Sequence, residues 1–346
     1  MKETFRYLAG TAGPSGYGSN STADLVTDDT CRFDTSQLTA IVTGSTSGIG
    51  AETARVLAKK GIRVVIPARN LGKAFKVRER IMEESPNASI IILEIDMSSF
   101  ASIRRFCSEF LSLGLPLNIL VNNAGIFSQD LEFSEEKIEM TFAINYLGHY
   151  LLTELLLDKM VETATTSRVE GRIVSVSSVI HGWVKRDSFC FKDMLHPKRY
   201  NGTRAYAQSK LANILHVREI ARQLKMRNAR VTINAVHPGI VKTGIIRAHN
   251  SLLTDSIYFF ASKLLKTVQQ GAATTCYVAL SPQIEGISSR YFADCNETSC
   301  SSLANNEYEA RRLWRQTNAL IHGPLKPQTI YDKGINCPMT KTCTSK

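Results

Sequence analysis

Two groups of residues in this chain have types and spacings that could do chemistry. The first is the run Thr43-Gly44-Ser45-Thr46-Ser47-Gly48-Ile49-Gly50, set between an apolar stretch, Leu38 to Val42, and a helical pattern, Ala51 to Lys60. Glycines at such a junction permit a tight turn and let backbone amides approach a ligand closely. The following helix presents unpaired N–H groups and a positive dipole end, which suits a pyrophosphate. Gly44 is expected to make the turn, Gly48, Ile49 and Gly50 to leave room for phosphate and for the helix, and Ser45 and Ser47 to offer hydroxyl donors. The second group is Tyr206 and Lys210, four apart and therefore on one face of a helix. A phenol near pKa 10 is a poor base at neutral pH. An adjacent ammonium favours the phenolate and so makes proton exchange with a ligand oxygen easier. Alone, such a pair is an ordinary helix surface. Here it follows Asn122-Asn123-Ala124-Gly125 and Ser177-Ser178 in an ordered series.

These residues need elements to position them. Apolar strands are predicted at Ala40 to Thr43, Arg63 to Ala68, Ile90 to Glu94, Ile119 to Asn122, Arg172 to Val176 and Thr232 to Val236. Helical patterns lie between them, at Ala51 to Lys60, Leu71 to Glu84, Phe100 to Leu111, Glu135 to Lys159 and Ala205 to Met226. Strands alternating with helices of this length predict an α/β fold, a doubly wound parallel sheet of Rossmann type. The strands are continuous Ile/Val runs, as expected when both faces of a sheet are covered. The chain reads as a single domain over 37–325, with an N-terminal extension over 1–36 and a loose tail over 326–346.

The ordered motifs resemble the short-chain dehydrogenase/reductase family over roughly residues 38–300. Within it the chain is most similar to the retinol-dehydrogenase-like branch and to plant members related to the dehydrogenase of the chloroplast inner-envelope translocon. The resemblance implies an NADP- or NAD-dependent enzyme moving a hydride between nicotinamide and a CH–OH or carbonyl carbon. Tyr206 then corresponds to the acid/base, and Lys210 to the residue that favours its phenolate and binds the nicotinamide ribose. Ser178 corresponds to the substrate-orienting serine, with Ser177 as the alternative, and Asn145 to the residue that holds a water behind Lys210 for a proton relay. Asp96 and Met97 fall at the adenine contact, and Asn123, Ala124 and Gly125 where the cofactor crosses the strand ends. Asn122 is expected to tie neighbouring strands together. Pro238 and Gly239 turn the chain after the sixth strand. Ile240, through its backbone, and Thr243 fall at the carboxamide.

The end of the second strand discriminates between the two nicotinamide cofactors. An acid there would accept from a ribose 2′-hydroxyl and repel a 2′-phosphate. The chain has Ala68 at that point and Arg69 after it, and a guanidinium offers forked donors to phosphate. NADP(H) is therefore the expected cofactor.

Between Ser178 and Tyr206 lies a long insertion, His181 to Arg204, with Trp183, Phe189, Phe191, Leu195 and Tyr200. It is expected to pack over the site entrance, with His181 and His196 as surface or capping residues. Residues 244–268, rich in Leu, Ile, Tyr and Phe, stand where the family has a substrate lid, which implies a lipophilic carbonyl or alcohol substrate or, alternatively, contact with a membrane surface. Residues 310–326, with Arg311, Arg312, Trp314 and Arg315, form a basic amphipathic segment. The resemblance leaves open calmodulin as its partner, against simple packing on the domain. It also leaves open homo-oligomers. A second reading of the whole chain is an NADPH-binding regulatory protein at a membrane complex.

Composition sets outer limits. Lys plus Arg total 42 against 31 acids, a formal charge of +11, with no base-stacking or groove-reading motif, so nucleic acid is not an expected partner. No apolar run reaches the length of a spanning helix. Eight cysteines without metal-ligand or C-x-x-C spacing read as free thiols in an intracellular, reducing compartment. Asp24, Asp28, Asp29 and Asp34 are unlike a cleaved transit sequence, so the extension reads as retained. The plant members similar to this chain reach the chloroplast envelope with such an extension.

Overall fold

The computed structural model describes residues 10–28, 35–241 and 265–323. After a short helix, α1 (Leu25–Asp28), strands and helices alternate: β1 (Thr39–Val42), α2 (Gly48–Lys59), β2 (Arg63–Ala68), α3 (Leu71–Glu84), β3 (Ile90–Glu94), α4 (Phe100–Ser112) and β4 (Ile119–Asn122). A helical turn, Met140–Phe142, then runs through a π-helical turn, Ala143–Leu147, into α5 (Gly148–Ser167). The chain continues through β5 (Gly171–Val176), α6 (Phe191–Leu195), α7 (Gly202–Met226) and β6 (Val231–His237). Last come β7 (Ile240–Val241), β8 (Leu265–Lys266), α8 (Val268–Leu280), β9 (Tyr291–Ala293), β10 (Asn296–Glu297) and α9 (Glu307–His322).

The main sheet has the order β10-β9-β6-β5-β4-β1-β2-β3. All its neighbours pair in parallel except β10, which folds back antiparallel on β9. β1 lies between β2 and β4, so the strand order reverses there, and the crevice at the carboxyl end of such a switch point is where doubly wound sheets bind ligands. Both faces of the sheet are covered. Phe106, Tyr146, Tyr150 and Leu215 build a core under α4, α5 and α7, while Leu57, Val77 and Tyr277 belong to a second core under α2, α3 and α8. That double covering is why the strands read as unbroken apolar runs.

Three differences from the expected elements have physical reasons. The helix expected from Glu135 begins at Met140, because the Glu139 side chain accepts from the backbone N–H groups of Thr141 and Phe142 and caps it there. The described part of the N-terminal extension is built into the domain. Ala23 and Val26 are fully buried, Asp24 bonds Arg55 and Lys59 of α2, and the Tyr17 ring meets Tyr277 of α8 edge-on at 5.9 Å. Finally, α8 and β9 were not foreseen. α8 is buried all round from Gly271 to Leu280, Thr274 and Thr275 included, and so has no one-sided pattern to find. β9 has only three residues.

Among the described residues, no helix is long and apolar enough to cross a membrane. Residues 242–264, which hold Thr243 and nearly all of the expected lid, lie outside the described residues, as do Cys31, Cys337, Cys343 and the 326–346 tail.

Candidate active site

The glycine run turns as its composition requires. Gly44 has φ +67° and Gly48 φ +54°, a region costly for other residues. A Cβ on Gly44 would stand 2.8 Å from Ala124 Cα, and one on Gly50 2.4 Å from the Asn123 side chain. The turn is thus pressed against the end of β4. Ser47 caps that helix with its side chain unused, free to face a ligand. Ser45 needs correction as a hydroxyl donor to phosphate: it is buried, and its hydroxyl donates to Val42 O at 2.7 Å. Its contribution reduces to backbone. Ile49 lies against Gly271 of α8.

Beneath the turn is a polar network that sequence reasoning missed. Thr43 Oγ1 accepts from the N–H groups of Asn123 at 2.8 Å and Ala124 at 2.9 Å. Asn123 returns its side-chain N–H to Thr43 O at 2.8 Å. The same threonine hydroxyl lies 2.9 Å from His149 Nε2, and His149 Nδ1 lies 3.1 Å from Asn145 O. A carbonyl only accepts, so Nδ1 carries the proton and Nε2 accepts from the threonine hydroxyl, whose one proton is shared with Val121 O at 3.2 Å. Burial lowers His149 to about 4, which keeps this neutral tautomer in place. The available signal was the four-residue step from Asn145 to His149, which puts both on one helix face. Asn122 also departs from expectation: it bonds Thr153 of α5 at 2.9 Å, joining strand to helix rather than strand to strand.

Asn145 sits in the π-helical turn, fully buried. Its side chain accepts from Ile126 N at 2.8 Å and donates to Ile126 O at 3.0 Å and to Ser209 Oγ at 3.0 Å. It therefore clamps the strand end directly after Gly125. A Cβ on Gly125 would lie 3.3 Å from Asn145 Oδ1 and 3.5 Å from Lys210 Nζ, so the cofactor edge and the lysine adjoin.

Lys210 is buried, with its amine on Val176 O at 2.9 Å and 5.5 Å from the Tyr206 ring centroid. Phe127 closes the other side of that ring, edge-on at 5.6 Å. The two pKa values run opposite to the expected coupling. Burial raises Tyr206 to about 12 and lowers Lys210 to about 8. The amine lies over the ring and is held by a carbonyl, so the protein alone does not make the phenol acidic. Ser177 and Ser178 separate cleanly. Ser177 is buried and donates to Lys210 O at 2.7 Å, whereas Ser178 is partly exposed at the start of a 3₁₀ turn. Ser178 Oγ accepts from Ile180 N at 3.5 Å and keeps its hydroxyl proton to give.

At the second strand, Ala68 is buried and Arg69 is 77% exposed, its guanidinium 3.9 Å from Asp96. Asp96 is held by the N–H and hydroxyl of Ser98, at 2.8 and 2.6 Å, and Met97 next to it is buried. Pro238 is buried, Gly239 turns with φ +87°, and Ile240 is 43% exposed at the rim. In the insertion, Phe189, Phe191 and Leu195 pack into the core around Phe142, Tyr200 bonds Ser128 O, and Trp183 is exposed. His181 is not a surface residue: it is buried, with Nδ1 on Ser178 O at 2.6 Å and Nε2 accepting from Ser301 N at 3.0 Å. His196 is exposed beside Phe133.

A doubly wound sheet with a glycine turn at its switch point and a Tyr–Lys–Ser group at the carboxyl edge defines a nucleotide-dependent oxidoreductase. The chain belongs to the short-chain dehydrogenase family. Residues 38–189 match the short chain dehydrogenase family description. The chain is 46% identical over 312 residues to short-chain dehydrogenase TIC 32 B, chloroplastic, of Brassica napus, covering 90% of this chain and 96% of that one. It is 38% identical over 293 residues to retinol dehydrogenase 12 of Bos taurus, covering 84% and 89%. Its retinol-dehydrogenase-like placement and plant relationship are thereby established. Among solved structures, an uncharacterised protein from Mycobacterium Paratuberculosis superposes with a TM-score of 0.64 at 27% identity, covering 84% of this chain and 96% of that one.

Proposed function

We propose that the protein is an NADP(H)-dependent oxidoreductase acting on a lipophilic carbonyl or alcohol, with Tyr206 as acid/base. One observation carries the reading: Gly125, at the crevice, adjoins both Lys210 Nζ and Asn145 Oδ1. A cofactor crossing the strand ends there meets the lysine that lies over Tyr206. The cradle fits a dinucleotide, since any Cβ at Gly44 or Gly50 would collide with the end of β4. Gly44, Ser47, Gly48, Ile49 and Gly50, with the backbone of Ser45, would hold the pyrophosphate. Asp96 and Met97 would bound the adenine, Asn123, Ala124 and Gly125 the middle, and Pro238, Gly239, Ile240 and Thr243 the nicotinamide end. Arg69, exposed and without an acid at position 68, favours a 2′-phosphate.

When bound, the nicotinamide supplies or accepts the hydride and, oxidised, brings positive charge beside the phenol. Burial keeps Tyr206 protonated near neutrality, so the proton that a carbonyl oxygen needs during reduction is present there, although the raised pKa by itself makes the phenol a weaker acid. Lys210, lowered to about 8, exchanges protons near neutrality and can reload the tyrosine. Ser178 orients the substrate oxygen. Asn145 positions Ile126 and leaves only its main-chain carbonyl, shared with His149, to hold a relay water. The Brassica napus relatives named chloroplastic support a chloroplast location. A calmodulin-linked regulatory role has less support. Leu313 and Ala310 of α9 are buried where α9 packs on α7, so calmodulin would compete with the domain for that face.

The test is Tyr206→Phe. Turnover of aldehydes with NADPH is expected to fall by roughly 10²- to 10⁴-fold while NADPH binding persists. Tighter binding of NADH than of NADPH would remove the role given to Arg69.

A further inference from the structure

A second cavity, of about 710 Å³, opens at the carboxyl ends of β6 and β9. Four segments distant in sequence wall it: residues 11–19 of the N-terminal extension, residues 179–182 directly after Ser178, residues 237–240 at the end of β6, and residues 291–301 through β9 and β10. Of these, only residues 179–182 fall within the span matched by the family description.

Two buried polar groups on its lining have no hydrogen-bond partner among the described residues: His237 Nδ1 and the Tyr291 hydroxyl. The strands pair in parallel with Ala235 opposite Tyr291 and His237 opposite Ala293. Side chains alternate along a strand, so His237 and Tyr291 share one face, a diagonal apart. His181 stands edge-on to Tyr291, 5.1 Å between ring centroids, but both of its nitrogens are engaged. Leaving two polar groups of a packed interior unpaired costs stability, and such groups call for an unseen partner.

The chemistry of that partner is constrained. Burial lowers His237 to about 3, so its ring is neutral and offers one donor and one acceptor nitrogen. Burial raises Tyr291, which stays a neutral phenol able to give and take a hydrogen bond. Asp294 and Glu297 also line the cavity, and their charges are taken up by Lys266 at 2.5 Å and Arg290 at 3.3 Å. Among the described residues, that leaves no spare cation there for a carboxylate or phosphate. A neutral group that both donates and accepts fits best, and the aliphatic lining from Pro14, Val179 and Ile240 fits an apolar chain behind it.

We propose that this cavity is a subsite for the hydroxyl-bearing end of an apolar ligand, with Tyr291 and His237 bonding the hydroxyl. In turnover the occupant is the end of the substrate remote from the reacting carbon, because the wall starts one residue after Ser178. This second clause rests on the oxidoreductase reading above.

The experiment compares straight-chain aldehydes of graded length, with and without a terminal hydroxyl, by NADPH oxidation. At one chain length the hydroxylated member is expected to show about tenfold higher kcat/KM, and Tyr291→Phe is expected to bring the ratio to about one. Equal kcat/KM for the two series at every length overturns the subsite while leaving the reductase standing. If no aldehyde is reduced, the oxidoreductase reading fails and calorimetry decides the subsite alone. 1-Octanol is then expected to bind the wild-type protein more tightly than its methyl ether does, with the difference lost in Tyr291→Phe. Equal binding of both, or of neither, means that water satisfies the two groups and ends the proposal.

Discussion

The two walls of the carboxyl edge differ in how their polar groups are partnered. Under the glycine turn, Thr43, Asn123, His149, Asn145, Ser177 and Lys210 all bond within the protein, and among the described residues only Asn122 Oδ1 beside them lacks a partner. Under β6 and β9, His237 Nδ1 and the Tyr291 hydroxyl bond to nothing described. The first wall is a scaffold whose shape is set by folding. The second holds two polar groups for which the described residues offer no partner. Lack of a partner is not enough by itself to mark a site. Both ring nitrogens of His216 also lack one, yet that ring is packed against Tyr146 and Tyr150 in the interior. What separates the β6–β9 wall is the cavity beside it.

Three measurements would break or sharpen this contrast. The largest effect is expected for Thr43→Val. It keeps the shape but removes the acceptor of two backbone N–H groups and the partner of His149, leaving buried groups unpaired. Unfolding in urea should show a loss of about 3 kcal/mol. A loss under about 0.5 kcal/mol would mean the network is not a scaffold.

The buried histidines come next. Burial lowers His149 to about 4, and His216 and His237 to about 3 each. An unfolded histidine takes its proton near pH 6.5. On acidification the unfolded state therefore binds protons first, and stability falls from pH 6.5 down through the folded values. Each histidine should contribute a slope of roughly 1.4 kcal/mol per pH unit in that window. His216→Phe, which deletes an unpartnered ring, should make the decline shallower. An unchanged slope would show that His216 titrates normally.

The smallest effect is expected for Tyr291→Phe. It removes an oxygen that has no partner, so the stability of the protein alone should stay within about 0.5 kcal/mol. A loss near that of Thr43→Val would reveal a bond in the folded chain and erase the distinction between the walls.

Much of the scaffold was legible because its signals are local. Gly44 needs a positive φ, Ala68 and Arg69 are consecutive, and Tyr206 and Lys210 are one helical turn apart. Strand limits came within a residue or two for the same reason, since a doubly covered strand is apolar throughout. The second wall was hidden because its pieces lie far apart in the chain. Residues 11–19, 179–182, 237–240 and 291–301 meet only after folding, and no spacing links them. The setting of the phenol was hidden for a related reason. A sequence shows that Lys210 is near Tyr206 but not that the amine would be held by Val176 O and that burial would dominate both groups.

The sequence by itself determined the class of fold, the glycine turn and the order of the candidate residues, because each depends on contacts between near neighbours in the chain. Tertiary structure alone decided which serine is free, what Asn145 grips, how burial tilts the two key pKa values and where polar groups are left unpaired. Those outcomes depend on desolvation and on partners brought together from distant segments.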